Sequence, residues 1–138
     1  MNRSREFARG LLNKARGDQF ALVRLVDLPE APLWILGFHA QQATEKAMKA
    51  VLASRSIEYP PTHNLVSLTA LLRENGITLP PDSEQLPQLT PFGVAFRYDA
   101  EPADEQNTSL DAAWAKDCVE RTIIWAERLL AVEESALE

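Results

Sequence analysis

Apolar residues along this chain recur at intervals of three and four, and almost nowhere do they alternate with polar ones. Phe7, Leu11, Ala15, Asp18, Leu22 and Leu25 follow that spacing and predict a first helix over about 3–26. Asp27-Leu-Pro-Glu-Ala-Pro then reads as a loop, because neither proline fits a helix interior. A second helix is predicted over about 32–55, with Pro32 tolerated in its first turn. Tyr59-Pro-Pro-Thr breaks the chain, Thr62 is the expected cap of a short third helix through Asn75, and Gly76 is its stop. Pro80-Pro81 marks a loop over 77–82, and Ser83 is the expected cap of a fourth short helix interrupted by Pro87 and Pro91. Residues 99–108 are acidic and lack periodicity, so a mobile loop is expected there. A long last helix is predicted from Ser109 to about Glu133. Leu110, Trp114, Cys118, Arg121, Trp125 and Leu129 fall within an arc of about 100° on its wheel, as core or interface. The Asn-Gly pair at Asn75-Gly76 falls at the predicted end of the third helix and not between alternating runs, so it marks no hairpin turn, and no Asp-Gly pair occurs. The expected fold is all-α, an antiparallel bundle of four to five helices forming one domain over 1–138.

Composition narrows this further. A chain of 138 residues with 46% hydrophobic positions has the size and apolar content of one globular domain. The charged start Met1-Asn-Arg-Ser-Arg-Glu-Phe-Ala-Arg argues against a secretory signal, and the longest mainly apolar run, 31–38, is too short to cross a bilayer. A cytoplasmic protein without membrane association is expected. The lone Cys118 sits in a helical pattern and reads as a small core residue. The net charge of −6 is unevenly spread: +4 over 1–55, −2 over 56–98 and −8 over 99–138. Solvated helix faces with an acidic tail account for it. So does a basic N-terminal half that meets an anionic ligand or an acidic partner. Duplex DNA is an unfavourable partner for the acidic half.

The segment Phe38-His-Ala-Gln-Gln-Ala-Thr-Glu-Lys-Ala-Met-Lys-Ala-Val-Leu52 carries the chemistry. On a helical wheel His39, Gln42, Lys46 and Lys49 share an arc of about 80°, with Ala40, Ala43, Ala47, Ala50 and Val51 beside them. Small residues suit a central helix, and a polar strip there must be solvated, line a cleft or form a dimer seam. Glu45 lies at the edge of the strip, one turn from Lys49. Its expected partner is Arg97, in a charge-assisted pair that locks the Arg97-Tyr98 corner to the second helix. Thr62-His63-Asn-Leu and Phe96-Arg-Tyr-Asp99 are the other notable runs. No Walker loop, Rossmann fingerprint or Gly-x-Ser-x-Gly occurs, and two distant histidines with one cysteine make a poor zinc set. Neither cofactor nor metal is expected.

Taken together, Leu11-Leu12, Ala15 and Asp18, the Gln41-Gln42-Ala-Thr-Glu45-Lys46-Ala-Met-Lys49 run, Thr62-His63-Asn-Leu and Arg97-Tyr98 resemble the HEPN family. HEPN stands for higher eukaryotes and prokaryotes nucleotide-binding. The resemblance implies a four- or five-helix bundle, often a homodimer. Many members are encoded beside a small nucleotidyltransferase as toxin–antitoxin pairs. Many active members are metal-independent ribonucleases that use an arginine followed four to six residues later by histidine. After Arg97 this sequence has no histidine, and Arg55 precedes His63 by too many positions, so that motif is missing. Three functions follow as expectations. The first is a non-catalytic homodimeric interaction module that binds a nucleotidyltransferase. The second is a nucleotide-binding protein holding phosphate with Lys46, Lys49 and Arg97. The third is a ribonuclease acting on RNA with another base, such as His63. His39, Gln42, Glu45, Lys46, Lys49, His63, Arg97 and Tyr98 are the candidate binding residues, with no catalytic residue assigned.

Overall fold

The computed structural model describes residues 3–94 and 109–136. Among them every regular element is helical, with α1 at Arg3–Leu25, α2 at Leu33–Ser54, α3 at Leu65–Glu74, α4 at Thr90–Val94 and α5 at Ala112–Ala136. A 3-10 turn, Leu86–Leu89, leads directly into α4. No helix among the described residues is long and apolar enough to cross a membrane. The expected acidic loop near 99–108, with Arg97 and Tyr98, lies outside the described residues.

The ends of the elements explain where expectation and structure part. Thr62 does not cap α3. The Asn64 side chain does, accepting from the Val66 and Ser67 amides at 2.9 and 3.4 Å, while Thr62 Oγ1 accepts from the Asn64 amide. Ser83 caps nothing. It lies in a run of turns, and the helical chain begins only at Leu86. Pro87 and Pro91 each fall in the opening turn of a short element, where a missing amide is harmless. They therefore begin the 3-10 turn and α4 instead of interrupting one helix. The last helix begins at Ala112, not Ser109, because Asp111 Oδ1 accepts from the Trp114 amide at 3.0 Å. Gly76 stops α3 with φ +69°, as glycine at a helix end allows. Ser56 plays the same part after α2 with φ 57°, which a serine adopts at a conformational cost.

α2 is the hub, packed against α1, α5, α3, α4 and the 3-10 turn. Ala40, Ala43, Ala47, Ala50 and Val51 are fully buried, so their small size lets neighbouring backbones close in. From Leu36 to Ser54 no residue of α2 is exposed. α1 and α2 form an antiparallel hairpin whose open end is tied by Ser4 and Ser56 hydroxyls 2.9 Å apart. α5 runs antiparallel to α1. Arg9 reaches Glu134 at 2.7 Å and Glu127 at 2.9 Å, and Arg16 also binds Glu127 at 2.9 Å. The basic N-terminal half thus finds an acidic partner within the same chain. The buried face of α5 is Ala115, Cys118, Val119, Thr122, Ile123, Trp125, Ala126 and Leu130. The stripe expected from the wheel is offset from it. Trp114 and Leu129 sit half-buried at the edge, and Arg121 leaves the core to clamp Asp82 at 2.8 and 3.1 Å. Cys118 is buried and free, and burial pushes its thiol up to about 12.

Candidate functional site

The polar residues of α2 divide into two rows. The first faces α1. Asp18, a lone charge in the apolar stripe of α1, accepts from Lys46 Nζ at 2.6 Å through Oδ2 and lies 3.0 Å from His39 Nδ1 through Oδ1. One carboxylate therefore engages both His39 and Lys46, which stand seven residues apart on the same side of α2.

The second row faces the segment leading into α3. Gln41, Glu45 and Lys49 succeed one another at four-residue spacing, and Glu45 is only 4% exposed. Its Oε1 accepts from Gln41 Nε2 at 2.8 Å and lies 2.9 Å from His63 Nδ1, and its Oε2 accepts from Lys49 Nζ at 3.0 Å. Gln41 Nε2 also donates to the His63 carbonyl at 3.0 Å, and its Oε1 accepts from Gln42 at 2.7 Å. The network thus fixes both the ring and the backbone of His63. Burial alone would raise the Glu45 pKa; hydrogen bonds from Gln41, His63 and Lys49 outweigh it and hold the carboxyl below its ordinary value. Lys49 also lies 5.5 Å from the centre of the Tyr59 ring. Burial, and then the charge of Glu45, push the Tyr59 phenol above its ordinary pKa.

Two glycines position this second row. A methyl at Gly93 would overlap the side-chain amide of Gln41, and one at Gly37 would overlap the Phe92 ring. α2 and α4 therefore interlock, each helix giving a glycine to the other's large side chain. This holds the Gln41 amide against Glu45 and His63.

Of the candidate residues, the structure brings Gln42, Glu45, Lys49 and His63 into one network and places His39 and Lys46 in the other. Arg97 and Tyr98 lie outside the described residues, so the expected Glu45–Arg97 pair is not part of this description. Within the described residues Glu45 is buried against Gln41, Lys49 and His63, and the strip is no solvated face. Gln41 and Asp18, which join the two rows to their surroundings, are absent from the sequence-derived set. The signal for Asp18 was its place among apolar residues, since a carboxylate on a core-facing stripe demands a cation. Chemically, the second row is a carboxylate that orients an imidazole through Nδ1.

No match was found among curated proteins or among solved structures. The family model for the HEPN domain matches residues 8–133, which runs from the second turn of α1 to the last turn of α5 and takes in every described helix between them. An all-helical bundle built around α2, whose Gln-Gln-Ala-x-Glu-Lys segment supplies the buried network, agrees with that match, and the chain belongs to the HEPN domain family.

Proposed function

We propose that the chain is a homodimeric HEPN module that binds a partner protein, a small nucleotidyltransferase in a toxin–antitoxin-type pair, and does not catalyse a reaction itself. One observation carries this reading: both lysines of the polar strip are already neutralised, Lys46 by Asp18 and Lys49 by Glu45. A phosphate entering the strip would have to displace a carboxylate from each lysine, which disfavours the nucleotide-binding alternative. The resemblance to family members encoded beside nucleotidyltransferases favours a protein partner. The test is co-expression with a small nucleotidyltransferase encoded beside this gene, followed by size-exclusion chromatography. Co-elution as one complex, with no saturable binding of labelled ATP by the module alone, is the expected result. Separate elution, together with ATP binding that Lys46→Ala and Lys49→Ala abolish, would overturn it in favour of a nucleotide-binding protein.

The Glu45–His63 contact favours a second reading, a metal-independent ribonuclease with His63 as base. Cleavage of single-stranded RNA in the presence of EDTA, lost in His63→Ala while the melting temperature holds, would establish it.

A further inference from the structure

The outer face of α5 is self-complementary under a two-fold rotation. Ile124 stands at its centre and is 40% exposed. Glu120 and Arg128 lie one turn to either side, both exposed and neither in an ion pair among the described residues. Beside Ile124 a groove of about 500 Å³ opens between α5 and the segment before the 3-10 turn. Leu79, Pro81, Trp125 and Leu129 give it apolar walls, and Arg121 and Arg128 stand on its rim. Trp125 is held in place by its indole N–H, which donates to the Thr78 carbonyl at 2.8 Å. Arg121 is held by Asp82. The groove is therefore preformed.

From this geometry we infer that α5 pairs with α5 of a second copy, antiparallel about Ile124. The inference rests on the homodimer reading above and names its face. In an antiparallel pair centred on Ile124, each residue faces one equally far on the other side of the centre. Glu120 then meets the partner's Arg128, and Arg128 meets the partner's Glu120, each about 6 Å along the axis from the crossing. A parallel pair would instead set Glu120 against Glu120 and Arg128 against Arg128, so the charges choose the direction. Asp117 and Ala131 face each other in the same register, which adds no like-charge contact. At the centre, the two Ile124 side chains leave water for the apolar grooves that flank them, and the two ion pairs form the rim. The face is charged enough to stay wetted in the free protein and closes only on a surface with the reversed order of charges. The chain's own α5 is such a surface.

The experiment is sedimentation velocity on wild type, Glu120→Arg, Arg128→Glu and the double variant carrying both changes. A dimeric wild type is expected. Each single change replaces both ion pairs by like-charge contacts and should raise the dimer dissociation constant more than about tenfold. The double variant restores both pairs with reversed polarity and should dimerise again. Mixing the two single variants should yield a heterodimer, because one then carries two cations and the other two anions. Ile124→Cys should form an interchain disulfide on mild oxidation, with buried Cys118 serving as the unreactive control. A monomeric wild type would overturn the homodimer reading itself. A wild-type dimer that both single changes leave intact, or that Glu6→Lys on the outer face of α1 breaks instead, would retain that reading and overturn the α5 face.

Discussion

Glu45→Ala is the most informative single change. It removes the acceptor of three side-chain hydrogen bonds and strands Gln41, His63 and Lys49 around a small void. Hydrogen bonds that involve a charged group contribute about 1.5–3 kcal/mol each, so the three together set an upper range that one shared carboxylate does not reach. The Lys49 and His63 side chains retain 13% and 37% exposure and regain some water. Gln41, fully buried, regains none. The expected loss is about 3–5 kcal/mol, the range for removing one partner of a buried ion pair. For a domain of this size that lowers the melting temperature by about 10 °C or more. Glu45→Gln keeps the volume and should lose roughly half as much, since the amide still accepts but no longer neutralises Lys49. The pH dependence has a definite sign. The folded-state pKa of Glu45 lies below its ordinary value of 4.5, so its stabilisation is present above that value and is lost as pH falls through the folded pKa. The difference in urea midpoint between wild type and Glu45→Gln should therefore be constant near neutrality and shrink below about pH 4.5. An Ala variant within about 0.5 kcal/mol of wild type, the ordinary range of a surface substitution, would refute the buried network.

Three further outcomes are expected. Gly37→Ala should destabilise by about 2 kcal/mol or more in a urea melt, because the new methyl meets the ring of fully buried Phe92, whereas Gly10→Ala on α1, where nothing lies near a new methyl, should stabilise by up to about 1 kcal/mol. Ser56→Gly should change stability by less than about 1 kcal/mol, and in the favourable direction if relief of its positive φ outweighs the lost contact with Ser4; strong destabilisation would show that the hydroxyl contact dominates. Cys118 should react with a thiol reagent only in denaturant, since it is buried and its thiol titrates near 12; rapid labelling of the native protein would contradict its place in the core.

The long helices were legible because each repeats an apolar pattern for many turns, and the observed ends of α1 and α2 fall within a residue of expectation. The short elements were not. Thr62 and Asn64 are both good cap residues, and only the backbone path chooses between them. Prolines at the head of two consecutive short elements look, in sequence, like interruptions of one. On α5 a wheel cannot tell a buried Trp from one at an edge, so Trp114 and Leu129 drew the stripe away from Ala115, Val119 and Ala126. The site divides in the same way. His39, Gln42, Glu45, Lys46 and Lys49 were visible because they share one helix. Their partners were hidden because Asp18 lies 28 residues from Lys46 and His63 lies 18 from Glu45. The charge asymmetry was plain in the sequence, but its main use, pairing α1 with α5, depends on residues more than 100 positions apart.

The enclosure of α2 has a consequence for how the molecule opens. Amide hydrogens exchange with solvent either through local fraying or through unfolding of the whole domain. α1, α3 and α5 each keep a wet face from which a turn can detach alone. From Leu36 to Ser54, α2 has no exposed residue, and separating it from its neighbours dismantles most contacts of the core at once. Deuterium uptake along α2 should therefore be the slowest in the protein and should report a single free energy, that of global unfolding.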